Sequence, residues 1–286
     1  MEKVRVVTDS LANIPSEIVQ ELGITVVPTN VHFGQEVYRD GIDLTSEEFY
    51  AKLTQSETLP TTSQPSVGAF EEVYRRLGRE TKQIISLHIP AAVSGTLNSA
   101  YTAAQALPEL EIAIIDSTQI SMALGWLVIA AARAAHQGKG LDEIVALAQE
   151  MIPRLRLLAV LDTLEYAHRG GRIGKAQALM GTLLQVKPIL QVLDSEVLPV
   201  ENVRTKRKAL QRLVEMIAHM APLEEAAIIH THDPGLAQRV REMLAPIHPV
   251  DRIPIAEAGP VLGAHAGPGA VGVACVMRQR GRRNER

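Results

Sequence analysis

Three short stretches of the 286-residue chain gather uncharged hydrogen-bonding side chains at expected helix starts or strand ends. In the first, an apolar run, Ile84-Ile85-Ser86-Leu87, passes through His88-Ile89-Pro90 to Ser94-Gly95-Thr96, where a helix pattern opens. Open α/β sheets bind ligands beyond the carboxyl ends of their strands, and a helix start offers unpaired N–H groups and a positive dipole end to an anion. Ser94 can therefore donate to a ligand or simply cap the helix, the usual role of serine there; spacing leaves both open. In the second, Thr61-Thr62-Ser63 precede Gln64-Pro65-Ser66 in a loop that leads into another helix, supplying hydroxyl donors without charge. Such a loop suits a carboxylate or phosphate head group, although an ordinary Ser/Thr/Pro linker has the same composition. In the third, His265 sits in a glycine- and proline-rich loop, Gly263-Ala264-His265-Ala266-Gly267-Pro268-Gly269, ahead of the last strand. Its small neighbours allow close backbone approach, and its imidazole can serve an anion or the local structure.

Cations occur in two clusters. Arg169-Gly170-Gly171-Arg172 joins guanidinium groups to a freely turning backbone, a combination suited to oxyanions. Arg204-Thr205-Lys206-Arg207-Lys208 opens a helix with four cations, against the helix dipole. That placement points to an external anion, while a solvated helix face accounts for it as well. Other chemistries lack their carriers. There is no G-x-S-x-G elbow, no Walker A loop, and no dinucleotide fingerprint with its glycine run between a strand and a helix. His230-Thr231-His232-Asp233 follows a strand but has no companion cluster, so no metal site is expected.

The elements that must position these residues alternate. Strands are expected at residues 4–7, 25–27, 82–87 and 111–115, and helices at 15–22, 97–106, 122–136 and 141–155, a pattern of a mostly parallel sheet covered on both faces. Beyond a boundary near Arg154 the units change. A strand at 157–161, a glycine- and arginine-rich turn at 165–174, a hairpin at 187–193 and 197–200, helices at 205–220 and 234–244, and strands at 226–230 and 270–277 suggest a second domain. The fold class is thus α/β, with domains at 1–155 and 156–286.

Composition narrows the function classes. Hydrophobic residues make up 46% of the chain and aromatics only 3%, too few for a base-stacking platform. With 29 Lys+Arg against 32 Asp+Glu, nothing overall advertises a nucleic-acid partner. Positive charge concentrates in residues 278–286, whose five arginines and one glutamate read as a solvated tail. One cysteine, Cys275, fits a reducing cytoplasm. The opening residues read as a strand without a signal-peptide pattern, and the aliphatic stretch at 122–132 is too short to cross a bilayer.

Taken together the chain resembles the DegV family. The resemblance runs from Val4 to about Met277 through Val4-Arg5-Val6-Val7-Thr8-Asp9-Ser10, Thr62-Ser63-Gln64-Pro65-Ser66, Ser94-Gly95-Thr96, Asp116-Ser117 with Ser121, Gly170-Gly171-Arg172-Ile173, and the Gly263 to Gly269 loop. It implies an N-terminal three-layer α/β/α domain with a mostly parallel sheet and a C-terminal two-layer α/β domain with a mixed sheet. One long-chain fatty acid would lie between them, its carboxylate held by Thr62, Ser94 and His265 with Gly95 close by. It also implies no catalytic residue, cofactor or metal. The protein would take its acid from a membrane surface in transient contact and present it to a separate ATP-dependent kinase that forms an acyl phosphate, with Arg204 and Arg172 as contacts to that kinase or its phosphates. The chain departs from the family pattern at Arg169, where lysine is common, and at Asp194-Ser195-Glu196, where the turn usually carries glycine. Two other classes stay open: an acyl esterase using Ser94 and His265, and a regulatory or DNA-binding protein using the basic tail.

Overall fold

The structure, a computed structural model, describes residues 3–56, 58–177 and 186–279. Expectations for the tail beyond residue 279 lie outside the described residues.

The alternating half begins with β1 (Arg5–Asp9), α1 (Ser16–Leu22) and β2 (Thr25–Val27), followed by β3 (Asn30–Phe33), β4 (Glu36–Arg39), α2 (Ser46–Gln55), β5 (Thr61–Ser63) and α3 (Val67–Leu77). It continues with β6 (Gln83–His88), α4 (Thr96–Gln105), β7 (Glu111–Asp116), α5 (Ser121–His136) and α6 (Leu141–Met151). β1, β2, β6 and β7 form one parallel sheet in the order β2-β1-β6-β7. β1 and β6 are buried at every position but the first, as strands covered on both faces are. α3 and α4 bury Phe70, Tyr74, Ala100 and Ala103 against one face.

The second half contains β8 (Leu155–Val160), α7 (Glu165–Arg169), β9 (Lys187–Leu193), β10 (Glu196–Val203), α8 (Lys206–Met220), β11 (Leu223–His230), α9 (Pro234–Met243), β12 (Ile255–Glu257), α10 (Pro260–Ala266) and β13 (Val271–Met277). Its mixed sheet has the order β10-β9-β8-β13-β11-β12, antiparallel except where β11 meets β12. The two-residue period of a strand sorts its side chains. Leu158, Val160, Ile189, Ile228, Val273 and Cys275 pack with α8 and α9, while Leu157, Val192, Ile229, Ala274 and Val276 face the first half. α5 lies between the two sheets. It is apolar around its whole circumference, as a helix buried on every side must be, and joins residues of both sheets in one hydrophobic cluster.

Four local expectations are corrected. Thr62 belongs to a strand rather than a loop: β5 pairs with β3 in a small antiparallel sheet, β4-β3-β5, with Val31 opposite Thr62. His265 sits in α10 rather than in a glycine loop, because Pro260 starts a helix that ends only at Gly267, whose φ of 72° suits glycine. The turn expected at 165–174 opens with the short helix α7. The helix expected to reach residue 155 ends at Met151, where Pro153 forces a tighter turn and Leu155 joins β8.

At the β9–β10 hairpin, Asp194 and Ser195 adopt φ of 49° and 69°, the left-handed pair that such a turn demands. The chain thus takes the strained geometry without the usual glycine, and Ser195 N–H bonds back to Thr118 O at 3.2 Å.

Candidate functional site

A cavity opens where the carboxyl ends of the parallel sheet face the mixed sheet, the position that doubly wound sheets use for ligands. Leu11, Ile89, Val93 and Ile120 come from the first sheet's loops; Leu157, Ala159, Leu190, Val192 and Ile229 come from the second sheet. The cavity volume is about 170 Å³. Gly272 of β13 also lines it, and a Cβ there would come within 3.2 Å of the Ala159 Cβ. Small residues at the floor keep this volume open.

The polar lining comprises buried Thr29, Ser121, His230 and Thr231 and a more exposed set. Thr62, Ser63, Gln64, Ser94, Arg172 and His265 all line the cavity, bringing four sequence-separated stretches together. Thr62 Oγ1 lies 2.8 Å from His265 Nε2. β5 holds the threonine and α10 the imidazole. Gly170 explains why His265 stays in place: a Cβ at that glycine would overlap His265 Nδ1 and Cε1, so the ring rests directly on its backbone. Nδ1 is buried without a partner. Burial first, and the nearby Arg172 charge second, push the His265 pKa down to about 4, so the ring is neutral at physiological pH.

Ser94 lines the cavity one residue ahead of Gly95, the α4 N-cap, which has no side-chain cap. Ser94 Oγ accepts the Thr96 N–H at 3.2 Å, lies 2.9 Å from Thr96 Oγ1, and borders the cavity. Gly95 is not one of the lining residues; a Cβ there would come within 2.6 Å of Gln64 Nε2, so its smallness admits Gln64 beside the site. Thr62, Ser94 and His265 are partly exposed and Gln64 and Arg172 exposed, whereas Ile89, Leu157, Leu190 and Val192 are buried. The side of the cavity that carries Thr62, Ser94 and His265 therefore reaches solvent, while the apolar lining and the buried Thr29, Ser121, His230 and Thr231 do not.

Arg204 lies apart from this cluster, exposed between β10 and α8. Thr205 caps α8 by accepting the Lys208 N–H at 3.3 Å. Lys206 turns back to Asp162 Oδ1 at 2.6 Å and to Gly269 O, so one of the four cations at this helix start already has an internal anion. The residues around His230 separate: His230 Nδ1 accepts the Asp233 N–H at 3.2 Å, while His232 stacks on Tyr50 with ring centres 4.8 Å apart. No group of three or more metal-ligating side chains occurs among the described residues.

A second polar chain runs beneath the site. Tyr74 OH donates to Ser86 Oγ at 2.8 Å, Ser86 Oγ lies 2.7 Å from His88 Nε2, and His88 Nδ1 lies 2.9 Å from Asp9 Oδ2. The order Ser-His-Asp imitates a hydrolytic triad, but Asp9, Ser86 and His88 are 0% exposed, so no substrate reaches the serine. Asp9 also accepts the Leu11 and Ile89 N–H groups, fixing two loops that line the cavity.

The DegV family model, described as an uncharacterised protein family, matches residues 3–278. The chain belongs to the DegV family. A DegV domain-containing protein of Caldanaerobacter subterraneus is 36% identical over 276 residues, covering 96% of this DegV chain and 98% of the relative. Among solved structures, one described as fatty acid binding of a DegV family protein from Thermus thermophilus superposes with a TM-score of 0.91 at 32% identity, covering 96% of this chain and 100% of the other. DegV of Bacillus subtilis, described as a fatty acid binding protein, gives 0.87 at 32% identity over 97% of this chain and 100% of its own. The parallel and mixed sheets of the DegV fold are thus both present. No described helix is long and apolar enough to cross a membrane.

Of the residues that made the sequence informative, Thr62, Ser94, His265 and Arg172 meet at one cavity, and Arg204 and Gly95 do not line it. Sequence reading missed Gln64 and Gly170 as supports for the polar cluster, although both fall inside quoted motifs. It also missed Ala159 and Gly272, which carry no local signal beyond being small.

Proposed function

We propose that this protein binds one long-chain fatty acid in the cavity between its sheets and presents the carboxylate to a separate ATP-dependent kinase. The observation that carries the reading is a buried aliphatic cavity closed at its solvent-reaching end by Thr62, Ser94 and a neutral His265. Burying an alkyl chain of about fifteen methylenes yields on the order of 12 kcal/mol gross, less the cost of ordering the chain. A few hydroxyls then suffice to orient the acid.

The protonation pattern fits a carboxylate. With Nδ1 unpartnered, the proton of His265 is best placed on Nε2, which donates to Thr62 Oγ1 and leaves the threonine hydrogen free to donate outward. Ser94 Oγ, already accepting a backbone N–H, has its own hydrogen to give. Two hydroxyl donors thereby face one anion, and solvent exposure at this end supports transfer of the head group to a partner. Arg172, exposed beside the site, and Arg204, exposed with no ion-pair partner among the described residues, are the candidate contacts for that kinase or its phosphates. A division into domains at residue 155 would place the acid at their junction. The Thermus thermophilus and Bacillus subtilis structures, both described as fatty acid binding, support the same ligand class.

An acyl esterase is the weaker alternative, since Ser94 bonds to Thr96 and His265 to Thr62 rather than to each other. The test is binding of hexadecanoic acid to delipidated protein, with and without Thr62→Ala, alongside turnover of an acyl ester. Tight binding weakened by the substitution, with no turnover, is expected. Turnover that disappears in Ser94→Ala would overturn the carrier reading.

A further inference from the structure

The start of α5 is unlike an ordinary buried helix end. The first four N–H groups of a helix have no partner inside it and must be met by a cap, water or a ligand. In α5 the N-cap position is Ile120, no side chain caps the first turn, and the first turn carries no acidic residue. This end is nevertheless buried: every residue from Ser121 to Ile129 is buried. Ser121, 1% exposed, has an Oγ without any hydrogen-bond partner. Both Ile120 and Ser121 line the cavity. An orphaned hydroxyl and an uncapped helix end therefore border the same apolar space, where leaving polar groups unmet costs on the order of 1–3 kcal/mol each.

We infer that Ser121 and the N-terminus of α5 form a second polar subsite that takes an oxygen carried on the acyl chain, a hydroxyl or a keto group. The proposal rests on the fatty-acid reading. A hydrogen-bond acceptor is the partner chemistry because the helix end offers only donors, and Ser121 can supply one more. The head-group cluster of Thr62, Ser94 and His265 already holds the carboxylate, so the second oxygen is one attached along the chain. The subsite makes the protein selective for oxygenated acyl chains over plain ones without adding charge to the cavity.

The experiment is a titration of delipidated protein with hexadecanoic acid and with monohydroxy- and mono-oxo-hexadecanoic acids whose oxygen is moved along the chain. It is repeated with Ser121→Ala and with Ser121→Gly, the latter tolerating the φ of 54° at this position. One positional isomer should bind the unaltered protein about fivefold or more tighter than hexadecanoic acid, the size of one net hydrogen bond. That preference should vanish in both variants while their affinity for hexadecanoic acid is kept. The proposal is overturned if no isomer is preferred, if the preference survives in both variants, or if the variants lose plain and oxygenated acids alike, which would make Ser121 part of the head-group site. It is also overturned if an ordered water holds Ser121 whichever isomer is bound. Failure of the unaltered protein to bind any acid would instead remove the fatty-acid reading itself.

Discussion

Lowering the pH of the delipidated protein should withdraw the stability that neutral His265 contributes. The His265 pKa falls from an ordinary 6.5 to about 4 because burial disfavours the imidazolium and Arg172 repels it. In the unfolded chain the same ring titrates near 6.5 and takes up its proton first as pH falls. Stability is therefore present in full above pH 6.5 and declines through the window between 6.5 and 4. At 1.36 kcal/mol per unit, the full loss is roughly 3 kcal/mol, reached near the folded pKa. Urea unfolding of the native protein and of His265→Gln across that window isolates the effect, because other titrating groups cancel in the difference. The native protein should lose its advantage over the variant steadily as pH falls. A difference that stays flat from pH 7.5 to 4.5 would refute the claim that His265 is held neutral by burial.

Four further outcomes follow from the geometry. Thr62→Ala should weaken hexadecanoic acid binding roughly 10- to 100-fold, the loss of a hydrogen bond to a charged group, while Thr62→Ser retains most of the affinity in the same titration. Gly170→Ala puts a methyl group into the His265 ring and should weaken binding about tenfold or more, with a crystal structure showing the Thr62–His265 bond broken; unchanged affinity would count against His265. Ala159→Trp fills the cavity floor, so a long acid should lose on the order of 100-fold through about four displaced methylenes, while a shorter acid is spared. Asp40 is 4% exposed, and burial, partly opposed by the hydroxyls of Ser10 and Thr29, raises its pKa from 3.8 to about 6. A raised carboxyl contributes most below pH 3.8 and loses that contribution as pH rises through 6, so Asp40→Asn should gain up to about 3 kcal/mol on the native protein between pH 4 and 7 in denaturant titrations.

Much of the site was legible in the sequence because its chemistry sits at strand ends and helix starts. Ser94 announces itself by following the apolar run of β6 and opening α4. His265 is conspicuous among glycines, although those glycines hid a helix: Gly263 lies within α10, packed on Tyr50 and Phe49, and only Gly267 ends it. Thr62 was found by its hydroxyl cluster but misplaced in a loop. Thr-Thr-Ser has no apolar alternation, and its strand character comes entirely from pairing with Val31, more than thirty residues away. The small sheet was missed for the same reason, its strands being only three or four residues long, whereas the ten-residue α2 carries a Thr45–Glu48 capping box that was legible and went unread. Contacts such as Gly170 beneath His265 exist only in the folded chain, and no local pattern encodes them.

The central claim is occupancy by a fatty acid, and solvent extraction of the purified protein followed by mass spectrometry tests it most directly. One long acyl chain per protein is the expected result, with hexadecanoic acid taken up again after delipidation. Recovery of no acyl chain, together with no uptake by the delipidated protein, would contradict the account.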